Sequence, residues 1–201
     1  MRKFAALAPL SAMLLALGAC QSGGADDQGA EATETPTVVE SPTAVALDPA
    51  LPATPVYTVP TGVTESPDLV FPYVLAYEHQ GWSYTVTAEG VGAEANIYVT
   101  SYLLPEGTAY PDYQSQLTFV NEYDALVVND ADPTSHTPAL INGREGFFRF
   151  SIIRDGGPTL YQRNFFIFDE NHVVQVTCQW TEGRDIVGPL CGQLQQTLTL
   201  T

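Results

Sequence analysis

The plainest alternation of apolar and polar positions lies in the last third of the chain. Gly146-Phe147-Phe148-Arg149-Phe150-Ser151-Ile152-Ile153-Arg154 predicts a strand, and Asp155-Gly156-Gly157 a hairpin turn after it. Thr159 to Phe168 predicts the next strand, with Tyr161, Arg163, Phe165 and Ile167 on one side. Asp169-Glu170-Asn171 turns the chain again, and Val173 to Trp180 completes a three-stranded meander. The period then changes. From Asp185 to Leu200 the residues Leu190, Leu194 and Leu198 form a stripe four apart, which predicts a helix packed on the meander. Pro189 fits only near the first turn of that helix or at a kink.

The middle of the chain reads in the same way. Phe71 to Tyr77 is apolar throughout, but Pro72 excludes a central strand there. Gly81 to Ala88 alternates, with Trp82, Tyr84 and Val86 on one face, and Glu89-Gly90-Val91-Gly92 predicts a turn. Ala95 to Leu104 predicts a second strand, with Ile97, Val99 and Leu103 on one face and Tyr98, Tyr102 and Leu104 on the other. Tyr113, Leu117, Val120 and Tyr123 recur at helical spacing, which predicts a helix over Tyr110 to Tyr123 with Asp112 as its N-cap. Ala125 to Val128 predicts a short strand, broken by Asn129-Asp130-Ala131-Asp132-Pro133. Ala139-Leu140-Ile141 then runs into Asn142-Gly143, a strong hairpin signal.

Residues 20–67 have a different character. Small, polar and acidic residues dominate, and Pro recurs at 36, 42, 49, 52, 55 and 60. Such a composition buries too little apolar surface to offset chain entropy, so this stretch predicts a disordered tether ahead of a domain at residues 68–201. Tyr57 and Val59 alternate with polar residues, and they either add a short edge strand or stand exposed.

Before the tether, Arg2-Lys3 precede an apolar run from Phe4 to Leu17 that ends in Leu17-Gly18-Ala19-Cys20. A basic start, an apolar stretch and small residues before a cut are the anatomy of a secretory signal. Ending it on Cys20 resembles the bacterial lipoprotein signal. The resemblance implies that residues 1–19 are a signal peptide and that Cys20 becomes the lipidated first residue of the mature chain. The apolar run is too short for a membrane span.

Charge narrows the partners. The formal net charge is −16, and losing Arg2 and Lys3 makes the mature chain more negative still. The basic side chains left are Arg144, Arg149, Arg154, Arg163 and Arg184. Nucleic acid and anionic headgroups should repel such a chain, so no nucleic-acid partner is expected and membrane contact falls to the lipid on Cys20. Lipidation of Cys20 leaves an even pair, Cys178 and Cys191. In an envelope compartment that pair predicts a disulfide, the alternative being two buried, reduced thiols.

A family resemblance follows from the order of motifs. Tyr77, Gly81 and Trp82 mark an early strand, a helix precedes the middle strands, Gly143 to Phe147 opens the next strand as Gly-Arg-x-Gly-Phe, and a meander and a helix close the chain. This order resembles the PsbP-like fold of LpqN-type bacterial lipoproteins over about residues 68–201. The resemblance implies an α+β fold, a layered sandwich of an antiparallel sheet with two main helices. Cys178 late in the last strand and Cys191 early in the closing helix suit that group. Its members are mostly non-enzymatic binding or assembly proteins.

Catalytic signals are sparse. His79, His136 and His172 form no ligand-spaced cluster, and neither a GxSxG elbow nor a phosphate loop occurs. Asn129, Asp130, Asp132 and His136 make an oxygen-rich loop, but without the Gly and distal Glu of an EF-hand it predicts an ordinary polar turn. Asp169, Glu170 and His172 predict a solvated hairpin. No metal site, cofactor or catalytic residue is therefore predicted. The 10 Tyr, 9 Phe and 2 Trp are the richer signal: the Tyr of Ala95–Leu104 either line a cleft or interface or fill a core covered on both faces. The sequence thus predicts a non-catalytic envelope domain, anchored to the outer membrane or to the outer face of the cytoplasmic membrane, that binds a protein or small ligand. An envelope spacer and a hydrolytic enzyme are the other readings.

Overall fold

The structure is a computed structural model that describes residues 46–127, 136–154 and 156–201. Cys20, and with it the signal and lipid-anchor predictions, lies outside the described residues, as does the Asn129–Asp132 loop.

In chain order the elements are β1 (Pro55–Val56), β2 (Val63–Glu65), β3 (Glu78–Val86), β4 (Asn96–Leu103), α1 (Tyr113–Val127), β5 (His136–Ile141), β6 (Arg144–Ile153), β7 (Leu160–Asp169), β8 (His172–Trp180), α2 (Arg184–Thr197) and β9 (Thr199–Leu200). The class is α+β, as the sequence predicts. Seven antiparallel strands lie in the order β2-β3-β4-β8-β7-β6-β5, and β1 pairs with β9 in a small second sheet.

Local chemistry explains most boundaries. Asp112 caps α1: its Oδ1 accepts the Ser115 backbone N–H at 2.9 Å, and Ser115 Oγ accepts the Asp112 N–H at 3.2 Å. These reciprocal bonds satisfy donors that the first turn leaves open. At the β5–β6 hairpin Asn142 has φ 47° and Gly143 φ 80°, the positive pair that a two-residue turn of this hand needs. Inside β6, a Cβ on Gly146 would collide with the Phe166 carbonyl, so the close approach of β7 requires glycine there.

The two helices cover opposite faces of the sheet. Tyr98, Tyr102, Phe119, Val120, Tyr123, Phe147, Phe166 and Val173 form the core under α1, and Phe71 and Leu75 of the loop before β3 close it. Ile97, Val99, Val174, Val176, Cys178, Trp180, Val187, Cys191 and Leu194 form the core under α2. The tyrosines of β4 are core residues, because the face they occupy is covered too. All nine residues of β8 are buried, since this strand lies mid-sheet between both helices.

Two boundaries and the place of one proline differ from the sequence reading. Ala125 to Val127 continue α1 instead of forming a strand, because Val127 packs in the α1 core. The closing helix ends at Thr197, and Thr199 and Leu200 turn out to pair with β1. Pro189 sits in the second turn of that helix.

The largest correction concerns residues 46–67, which the sequence assigns to the tether. They belong to the folded unit. Leu47, Tyr57 and Val63 pack on the α2 core, and Ala53 is 4% exposed. Tyr57 and Tyr84 hydroxyls meet at 2.7 Å, and Asn171 donates to the Pro49 carbonyl at 3.0 Å. The reason is pairing across the whole chain: β1 finds its partner strand in the last residues, which composition cannot reveal.

Candidate functional site

The two faces of the meander are covered unequally. On the α1 side Phe147, Arg149, Ser151 and Ile153 of β6 are buried, as are Gln162, Asn164 and Phe166 of β7. On the α2 side Phe148, Phe150 and Ile152 of β6 and Tyr161, Arg163 and Phe165 of β7 are only half-buried. The helix α2 rests on β8 and leaves this neighbouring strip partly open. Strict period-2 alternation in β6 and β7 puts all six side chains on that one strip.

The strip is aromatic. Phe150, Tyr161 and Trp180 sit side by side on three adjacent strands. The Tyr161 and Trp180 rings lie 6.3 Å apart at 20°, and Phe150 and Tyr161 6.3 Å apart at 20°. Phe148 and Phe165 pair at 5.2 Å. Beside them is an open groove of about 510 Å³ lined by Arg163, Arg184, Asp185, Gly188 and Pro189.

Arg163 is held in this groove from two sides. Its guanidinium carbon lies 5.8 Å from the centre of the Trp180 ring. A Cβ on Gly188 would come 3.1 Å from its Nη1, a tight contact that the glycine avoids. Partial burial pushes the Arg163 pKa down, and the like charge of Arg184 adds to the effect. Among the described residues Arg144 pairs with Asp169 and Arg149 with Asp124, but no carboxylate lies in ion-pair range of Arg163 or Arg184.

The sequence reading places Arg163 on one face with Tyr161, Phe165 and Ile167 but assigns it no role. The available signal was an arginine inside an apolar strand face of a chain poor in basic residues. Arg184 and Gly188 gave none, because only the docking of α2 brings them to Arg163.

The polar layer under α1 is a different feature. Tyr102 donates to Gln175 at 2.9 Å, and Tyr123 to Gln162 at 2.8 Å. Gln162 donates to Gln179 at 3.0 Å, and Thr177 to Asn164 at 2.7 Å. Arg149, 1% exposed, donates from Nε to Asp124 at 2.6 Å. Burial raises the Tyr98 pKa to about 12 and that of Tyr123 well above its ordinary value, so both hydroxyls stay protonated. Matched donors and acceptors close this layer. A smaller but more enclosed hollow of about 290 Å³ beside β3 is lined by His79, Ser83, Thr100 and Glu65 among others, and it lacks the paired cations.

The remaining sequence candidates fall as follows. Cys178 and Cys191 come together at disulfide distance, with Cα atoms 6.0 Å apart, and join β8 to α2. Closing this loop stabilises the fold by roughly 3 kcal/mol in the chain-entropy account. Replacing both by Ser is expected to lower the melting midpoint and loosen α2 while the far-ultraviolet circular dichroism changes little. Two reactive thiols in the denatured, unreduced protein would refute the bond. His172 is buried and not part of a solvated hairpin. Its Nε2 reaches the carbonyls of Asp48 and Leu51, both at 3.0 Å, so it must be the protonated nitrogen. His79 is exposed and bonds the Tyr77 carbonyl at 2.9 Å. Among the described residues no group of His, Cys, Asp and Glu is arranged to hold a metal ion, and no helix is long and apolar enough to cross a membrane.

No protein-family model matches the chain, and no curated protein matches it. Among solved structures, a crystal structure from Bacteroides thetaiotaomicron VPI-5482 at 1.50 Å resolution superimposes with a TM-score of 0.48 and 7% identity. The match covers 73% of this chain and 45% of that one, so this chain spans under half of that protein's length.

Proposed function

We propose that this chain is a lipid-anchored, non-catalytic binding domain of the cell envelope, with the groove beside α2 as its binding surface. One observation carries the reading: the aromatic strip of β6 and β7 is half-open on the α2 side while the opposite face is sealed. Large apolar side chains left accessible in a row mark sites that meet another molecule. The resemblance to the lipoprotein signal at Cys20 supports the anchor, and the PsbP-like order of elements supports binding over catalysis. In such a protein the lipid on Cys20 supplies the membrane contact, because the acidic chain has no attraction for anionic headgroups.

The test uses the full chain extracted from membranes in mild detergent. Mass spectrometry is expected to find a diacylglycerol-modified N-terminal Cys20 and a co-purifying molecule. That molecule is expected to be lost on replacing Phe148 and Tyr161 by Ser. An unmodified soluble chain would overturn the anchor. A molecule retained equally by the double variant would overturn the groove as the binding surface.

A further inference from the structure

We propose that the groove beside α2 takes a monoanionic carboxylate carried on a flat apolar body, the carboxylate between Arg163 and Arg184 and the body against the aromatic strip. The inference rests on the reading of the groove as the binding surface and deepens it.

Four observations carry it. First, the chain has a formal charge of −16, yet two of its arginines share one groove. The half-buried Arg163 and the exposed Arg184 repel each other across the groove, and an anion between them relieves that repulsion. Second, Arg144 and Arg149 have carboxylate partners, whereas among the described residues Arg163 and Arg184 have none, although the chain contains 23 acidic residues. Third, Arg163 is pre-placed between the Trp180 ring and Gly188, so little side-chain freedom remains to be lost on binding. Fourth, the neighbouring Tyr161 and Phe150 rings offer flat apolar surface next to the charge.

Asp185 decides the valence. It lines the same groove, so two positive charges and one negative face the ligand. The net charge of one suits a carboxylate, whose planar oxygens also match a guanidinium fork. A dianionic phosphate would meet the Asp185 carboxylate with an uncompensated charge.

The experiment compares three probes that share one ring: 2-naphthoate, 2-naphthamide and 2-naphthyl phosphate. Each is titrated into the full chain at low salt and followed by the indole N–H signals in nuclear magnetic resonance. Trp180 is buried beside the groove with its ring 5.8 Å from the Arg163 guanidinium carbon, so its signal reports on that arginine, and Trp82 on β3 is the internal control. Naphthoate is expected to shift Trp180 and leave Trp82 in place. Its affinity is expected to exceed that of naphthamide by about tenfold, as charge-assisted bonding predicts. High salt should erase most of that margin. R184Q changes an exposed side chain, and it should abolish the margin with an unchanged melting midpoint. G188A, which crowds the Arg163 guanidinium, should reduce it as well.

The outcomes separate the two readings. Equal binding of naphthoate and naphthamide at Trp180 would overturn the anion inference and leave the groove reading standing. Absence of any Trp180 shift with all three probes would overturn both. Tighter binding of naphthyl phosphate than naphthoate would overturn the assignment of a monoanion. An undiminished margin in R184Q would show that the arginine pair is not the anchor.

Discussion

A chain that starts at Asp68 is expected to melt roughly 10–20 °C below one that starts at Thr43. The segment removed, residues 43–67, supplies more than length. It contributes β1, which pairs with β9 through Pro55 opposite Leu200, and the flanking bonds between Thr54 and Thr201, both 3.2 Å. It also contributes β2, which caps the β3 edge of the large sheet. Without it, His172 Nε2–H loses both carbonyl acceptors and is left to solvent. A lost intramolecular hydrogen bond costs about 0.5–1.5 kcal/mol net. Uncovering Leu47, Tyr57 and Val63 removes apolar burial of similar size for each side chain. The total is on the order of 5 kcal/mol, a large part of the 5–15 kcal/mol that holds a typical domain together. Calorimetry of the two chains decides the matter. Coincident melting midpoints would show that residues 43–67 decorate the fold without supporting it.

The second large effect is expected at Asp124. Its Oδ2 faces Arg149 Nε at 2.6 Å, and the arginine side chain is 1% exposed against 18% for the aspartate. Asp124→Ala takes a carboxylate partner from a guanidinium buried in the polar layer under α1. The bond from Arg149 Nη1 to the Phe150 carbonyl, 2.8 Å, remains in the variant. Stripping one partner from a buried ion pair costs about 3–5 kcal/mol. Replacing both members by apolar residues, Arg149→Met with Asp124→Leu, is expected to cost clearly less than Asp124→Ala alone. The comparison is a denaturant melt of wild type, Asp124→Ala, Arg149→Met and the double variant. Simple addition of the two single effects would mean that the pair is not coupled and that the layer is held by its neutral bonds.

Much of the local structure was legible in the sequence. Period-2 alternation marked β3, β4 and β7, because successive side chains on a strand point to opposite faces of the sheet, and the two faces meet different surroundings. The Asn142-Gly143 turn and the Asp112 cap were readable because the chemistry involved is local. The Cys178–Cys191 pairing was open to inference from a count of cysteines and an expected compartment.

Other features depended on contacts far apart in sequence. β8 alternates apolar and polar residues from Val174 to Trp180, the pattern of a strand with one solvated face, yet both its faces are buried because its own Gln175, Thr177 and Gln179 bond within the polar layer. Hydropathy could not say that this strand would become the centre of the sheet. That follows from the pairing of β4 with β8, which joins the early hairpin to the late meander. Residues 46–67 failed the composition test for the same reason. Their folding relies on main-chain pairing and a few apolar anchors, and the partner strand lies at the opposite end of the chain.

By itself, then, the sequence determined the α+β class, most strands and turns, both helices and the cysteine pair. Each of these is encoded within a few residues or by the face a side chain takes. Only the tertiary structure decided the strand order, the true start of the folded unit and the meeting of Arg163 with Arg184. Those depend on which surfaces find each other when the sheet closes. α2 docks on β8 because Val187, Cys191 and Leu194 must leave water, and its docking brings Gly188 against Arg163 and leaves the aromatic strip half-open.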